Sequence, residues 1–253
     1  MDQRLTRARR RLRERGHDEA PRADAAHDRL DAVLSVVYLL FNEGYWSSHA
    51  DAAIRVELCR LAIGLARSLH DVFAEPEVAG LLALMIFHEA RQAARLDAAG
   101  VPVPLPEQDR TRWSAEAIAE GAALLERALA AGAPGPYQIE AAIAATHCKA
   151  KAAADTDWQE IAALYELLER ARPSPGVRVN RAFAVGRARG PSAGLALLDD
   201  VAVGAPYVDA VRGALLEELG RHREAVDALE RAAGGARNAH EAIRLRARAA
   251  RLR

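Results

Sequence analysis

Several of the usual carriers of chemistry are scarce or missing in this chain. Cysteine occurs only at Cys59 and Cys148, without CxxC or His/Cys ligand spacing, which speaks against a disulfide framework and fits a reducing cytoplasm. No apolar run reaches about 18 residues, so no membrane span is expected. The charged N-terminus is not followed by an apolar core, so it does not read as a secretory signal. No GxxxxGK[ST] or GxGxxG occurs, and nothing supports phosphate cradling by a glycine loop. Aromatic residues make up only 5%, and β-branched runs are nearly absent, which leaves little material for a sheet. Lysine occurs only at Lys149 and Lys151 against 33 arginines. That imbalance reads as coding bias, so arginine number alone says little about function.

What is abundant is alanine, 58 of 253 residues. Alanine has the best helix propensity, and its small side chain lets helices approach closely, so an all-α fold is expected. The formal net charge is zero, but it is unevenly spread. Residues 1–16 hold seven arginines against Asp2 and Glu14, a local charge of +5 that the remaining chain balances with -5. Leu5, Ala8 and Leu12 recur there at helical spacing. A basic helix ahead of a slightly acidic body suggests a nucleic-acid-reading element attached to a protein-binding one.

Turn punctuation divides the rest into helices. Segment 17–26, with Pro21, reads as a polar linker. A helix near 29–43 is apolar nearly all round, which predicts burial on several sides, and Gly44 stops it. Helices are predicted near 51–72, 76–96, 115–131 and 137–154, with a long loop over 97–113 that holds three prolines. Thr156 and Gln159 read as a capping box. Thereafter the pattern is pairwise: a helix up to Pro173, a partner over 177–187, another opened by Pro191, then a hairpin of 206–219 and 222–234. Asn238 and Glu241 are expected to cap a last helix whose final turns, with Arg246, Arg248, Arg251 and Arg253, suit the negative end of the helix dipole. The hairpin carries the tetratricopeptide pattern: Gly213 small at the crossing, Leu216 large, Gly220 at the turn, then Ala225, Leu229 and Ala232 as small, large, small. Gly194 and Ile161 mark weaker copies. The expected architecture is a helical-hairpin array with tetratricopeptide-like repeats toward the C-terminus.

No complete catalytic set emerges, and the chain does not read as an enzyme. His88-Glu89 begins a zinc-protease pattern, but the second histidine is missing and position 92 is Gln. His147 and Cys148 are adjacent, so on a helix they point roughly 100° apart, not toward a shared proton. No metal site or cofactor follows. Loop 97–113 is the most informative irregular segment. Glu107, Asp109, Arg110, Arg112 and Trp113 form a candidate partner-binding loop, or else an ordered strap whose charges pair with neighbours such as Arg91 and Arg95. Phe41, Asn42, Glu43, Gly44 and Tyr45 read as core anchors with Glu43 as a buried partner.

An ordered series of blocks resembles the C-terminal extension of extracytoplasmic-function sigma factors that carry tetratricopeptide-like repeats. The blocks are VVYLLFNEGYWSS (36–48), ELCRLAI (57–63), EPEVAGLLALMIFHEAR (75–91), EQDRTRW (107–113), GPYQIEAAIAA (135–145), TDWQEIAALY (156–165) and PSP with VNRA (173–182). Residues 1–16 are similar to the last part of the recognition helix in sigma region 4. Region 2 and most of region 4 do not occur in these residues. The resemblance implies a remnant recognition helix over 1–16, a linker over 17–26, a family-specific helical domain over 27–155 and repeats over 156–253. It implies a regulatory protein-interaction domain in transcription initiation, with sigma modules, RNA polymerase or a regulator as partner. Arg4, Arg7 and Arg11 would at most touch DNA phosphates, weakly and without sequence preference. The alternative is a stand-alone helical sensor that binds a small molecule or peptide between helices, with its pocket between the 27–131 helices and loop 97–113.

Overall fold

Proline and glycine set the boundaries, and alanine-rich stretches between them fold as helices. The computed structural model describes residues 23–46, 54–98, 100–199, 201, 205–236 and 239–253. Among these lie eleven α-helices: α1 (Ala23–Tyr45), α2 (Val56–Val72), α3 (Pro76–Ala90), α4 (Ala115–Leu129), α5 (Pro136–Lys149), α6 (Trp158–Ala171), α7 (Pro175–Arg189), α8 (Pro191–Ala196), α9 (Pro206–Glu218), α10 (His222–Gly234) and α11 (Ala239–Ala250). The described residues contain no β-strand, and the all-α hairpin array expected from composition is the observed fold. The basic segment 1–16, with Arg4, Arg7 and Arg11, lies outside the described residues, as does Asn238.

The chain divides into two units between Val36 and Val37. In the first, α1 begins at Ala23 rather than near Arg29, because nothing after Pro21 interrupts the alanine-rich sequence; the last residues of the expected linker are therefore helical. Leu30 and Leu34 are buried there, whereas Val33 and Val36 are 43% and 65% exposed. In the second unit Val37 and Phe41 are buried and Leu39 is 66% exposed. The expectation of burial on several sides therefore fails.

Residues 37–253 stack helix on helix. The axis of the N-terminal half is α3, which packs against α2, α4 and α5. It has no charged or polar side chain from Val78 to Phe87, and every residue in that run is buried. Glu77, one residue before the run, reaches the start of α5 and accepts from Tyr137 N at 3.0 Å and Gln138 N at 3.1 Å. A carboxylate from a neighbouring helix thus satisfies two of the free N–H groups that every helix start leaves over. Ser114 caps α4 and Ser174 caps α7 with their own hydroxyls.

The cap of α6 differs from the expected Thr156–Gln159 box. Asp157 is the cap, accepting from Glu160 N at 2.9 Å, and the helix starts at Trp158. A carboxylate also gains from the positive end of the helix dipole, so the register shifts by one residue. Gln159 donates instead to Ala188 O.

The C-terminal half shows the repeat logic directly. A Cβ on Gly213 would lie 2.8 Å from Leu229 Cγ, so only glycine lets α9 and α10 cross this closely. Ala225, Leu229 and Ala232 are fully buried, and Gly220 takes φ +71° in the turn between the helices. The marker positions of the weaker copies, Ile161 and Gly194, are buried too, but α8 is only six residues long, a shortened second helix. On α11, Leu245 and Ala249 pack with Leu229, Ala232 and Ala233. Two C-terminal arginines also form ion pairs, Arg248 on α11 with Glu217 and Arg253 just beyond it with Glu230.

Candidate functional site

The connection between α3 and α4 is an ordered strap. Its three prolines prevent a regular helix, and short bonds replace one. Val101 N donates to Asp97 Oδ1 at 2.8 Å, Val103 N to Arg95 O at 2.8 Å, and Gln108 Nε2 to Val103 O at 3.0 Å. Asp109 caps a 3-10 turn over Arg110–Arg112 by accepting from Thr111 N and Thr111 Oγ1.

Arg110 pins this strap to the body. Its Nη1 donates to His147 O at 2.6 Å and Ala150 O at 2.8 Å, and its Nη2 to Thr156 Oγ1 at 3.4 Å. A guanidinium here serves carbonyls that the end of α5 leaves without helical partners. Trp113 is buried, with the Arg110 guanidinium 4.7 Å and the Arg91 guanidinium 5.9 Å from its ring centroid. Glu107 and Arg112 are exposed. The five loop residues singled out from sequence therefore do not converge on one face.

Arg91 and Arg95 bind elsewhere than expected. Arg91 Nη2 lies 2.7 Å from Tyr45 Oη and 2.6 Å from His88 Nδ1. Arg95 Nη2 donates to Tyr45 O at 2.6 Å, and its guanidinium lies 3.4 Å from the Tyr45 ring centroid. Tyr45 also stacks on Phe41 at 5.7 Å. The sequence segment read as a core anchor thus holds two arginines in place. Burial, and then the charges of Arg91 and Arg95, hold His88 well below the usual imidazole range. His88 is neutral at pH 7, and its Nδ1 is the acceptor for Arg91.

A cleft of about 610 Å³ opens beside this group. One wall is the strap from Val101 to Leu105 with Gln108; the floor is Tyr45, His88, Arg91 and Arg95; the far rim is His240, Glu241, Ile243 and Arg244 on α11. A smaller cavity of about 380 Å³ shares Tyr45, His88, Arg91 and Leu105 with it as a common wall. This smaller space is more polar, with Tyr38, Asn42, Glu140, His147, Tyr165 and Asn180 around it. Tyr38 Oη donates to Glu140 Oε2 at 2.8 Å, and Arg172 pairs with the other carboxylate oxygen. Burial raises the pKa values of Tyr38, Glu140 and Tyr165, while burial and the nearby Arg91 and Arg110 push His147 down to about 4.

The cleft lies against the loop where the sensor reading put its pocket, but its arginine floor and its α11 rim were not foreseen. The available signal was two arginines four residues apart, Arg91 and Arg95, beside a proline-rich apolar stretch. Among the described residues, no three side chains of His, Cys, Asp or Glu are grouped as a metal site requires. No helix of the described residues is long and apolar enough to cross a membrane.

Residues 29–129 match a family of unknown function, DUF6596. The chain is similar to an uncharacterized protein of Rhizobium meliloti (strain 1021), R00370, with 45% identity over 251 residues. That alignment takes in 97% of this chain and 59% of the relative, so the chain spans well under two thirds of that protein's length. No solved structure matches.

Proposed function

We propose that this chain is the regulatory interaction domain of an extracytoplasmic-function sigma factor and acts in transcription initiation by docking. Its partner is the sigma modules, RNA polymerase or a regulator. The observation that carries this reading is the stack of helical hairpins over residues 37–253, an architecture whose usual work is recognition of protein surfaces. The ordered sequence blocks from Val36 to Ala182 supply the link to sigma factors. The experiment is co-purification of the full chain with an extracytoplasmic-function region 2–region 4 pair and, separately, with core RNA polymerase. Retention by either partner at physiological salt is the expected result; failure with both overturns docking to the sigma modules or to the polymerase. Duplex DNA supplies a further arm: affinity is weak, non-specific and lost as salt rises.

A second reading, a small-molecule sensor, is favoured by one observation, the cleft between the strap and α11. The two readings are compatible. A ligand that joins the strap to α11 changes the surface that a partner meets.

A further inference from the structure

We propose that this cleft is a binding site for an oxyanion carried on an apolar body, with the head on Arg91 and Arg95 and the body along the strap. The proposal rests on the sensor reading and gives it a ligand class. It is independent of docking to sigma modules.

The size of the cleft comes first. At about 610 Å³ it falls within the range of small-molecule sites, roughly 300–1,000 Å³. Its walls divide by chemistry. Val101, Val103, Leu105 and Ile243 offer an apolar surface, and Arg91 and Arg95 supply charge at the floor.

The two arginines are unusual in their burial. Each is only 6% exposed, yet neither forms an ion pair with a carboxylate among the described residues. A buried cation without a counter-charge is costly, because desolvation is not offset by Coulomb attraction. Tyr45 offsets part of the cost through its ring, its hydroxyl and its carbonyl. The C-terminal end of α3 contributes roughly half a negative charge. Two guanidinium charges exceed that. His88, the nearest titratable neighbour, is neutral and accepts rather than supplying a negative charge. On the rim, Glu241 already has a partner of its own, and Arg244 adds a further cation.

The donor geometry agrees. The bonds of Arg91 and Arg95 to Tyr45 and His88 all leave from Nη2. Both side chains line the cleft, where a carboxylate or phosphate accepts from their guanidinium groups. A paired guanidinium fork matches such planar or tetrahedral oxyanions better than a neutral polar group does.

The test uses the full chain with octanoate, octyl phosphate and the neutral octanamide, read by calorimetry and by thermal shift. At least one of the two anions binds about tenfold or more tightly than octanamide, as a charge-assisted pair of hydrogen bonds implies. The preferred anion distinguishes a carboxylate head from a phosphate head. Arg95→Met abolishes the anion preference, although loss of its contact with Tyr45 can also unfold the floor. Ile243→Glu avoids that difficulty, since Ile243 is 63% exposed. It places a negative charge on the rim, leaves the ligand-free melting temperature unchanged, and weakens the anion several-fold more than octanamide, which loses only an apolar contact. Equal affinity for octanamide overturns the oxyanion proposal and leaves the sensor reading standing. Binding of none of the three overturns both. Anion binding insensitive to Ile243→Glu places the site elsewhere and overturns the assignment to this cleft.

Discussion

His147 shows how burial sets charge in the interior of this protein. Its ring meets the Trp158 ring edge-on at 5.4 Å, and Arg110 donates to its backbone carbonyl. Burial first, then Arg91 and Arg110, push its pKa down to about 4. An unfolded chain returns it to about 6.5. Between those values the unfolded state binds a proton that the folded state refuses, so stability falls as pH drops from about 6.5 towards 4 and is flat above. His88 acts in the same direction through burial and the charges of Arg91 and Arg95. Urea midpoints between pH 7.5 and 5.5 read this effect, because ordinary carboxylates titrate lower; Glu140, whose pKa burial raises, opposes it where it titrates. His147 alone costs about 1.4 kcal/mol by pH 5.5. His147→Gln is expected to remove that part of the loss. An unchanged pH dependence in that variant shows that His147 is protonated in the folded protein. The neutrality of both histidines also matters for the cleft, since it leaves the guanidinium groups as the cations there.

At the scale of the helix pair, two glycines in helix interiors make opposite predictions. Gly64 on α2 has open space where a Cβ would stand, whereas a Cβ on Gly213 meets Leu229 Cγ at 2.8 Å and Leu229 Cδ2 at 3.0 Å. Gly64→Ala therefore stabilises by about 0.5–1 kcal/mol through backbone entropy alone. Gly213→Ala gains the same entropy but must displace a fully buried leucine, and overpacking of this kind costs about 1–3 kcal/mol. The urea midpoint rises for the first and falls for the second. Equal midpoints in the two variants rule out the tight crossing of α9 and α10. This crossing was legible in the sequence because small, large and small residues recur within one hairpin, where spacing alone fixes who meets whom. Other features needed the third dimension. Thr156 and Asp157 are adjacent cap-forming residues, and their spacing does not say which carbonyl or guanidinium is near; Arg110, 46 residues away, donates to the threonine hydroxyl. The apolar run of α1 does not reveal which side meets a neighbour, so Leu39 looks as buried as Phe41. The cleft is harder still, since Tyr45, Arg95, Val103 and Ile243 come from four separate segments.

Across residues 37–253 the helices pack chiefly on their neighbours in sequence, α3 on α2, α4 and α5, and α10 on α9 and α11. In such an array stability is a sum of local terms and nearest-neighbour interfaces, so damage at one end need not reach the other. The two ends are also unequal. The interior of α3 is buried on every side, whereas α11 holds to the array through Leu245 and Ala249 and two ion pairs with partly exposed arginines. Hydrogen exchange is expected to be slowest in α3 and fastest in α11. Leu229→Ala tests the independence of the ends: Leu229 is fully buried between α10 and α11, and its truncation costs about 2–5 kcal/mol at that end. Amides of α9, α10 and α11 then exchange faster while those of α3 keep their rate. Acceleration of α3 by the same factor means instead that the stack opens as one cooperative unit. The local outcome has a consequence for recognition, because α11 forms one rim of the cleft and the strap forms the other. A ligand that bridges them adds its binding energy to the terminal interface of the array. Such a ligand slows exchange in α11 far more than in α3, and it restores the slow exchange that Leu229→Ala removes.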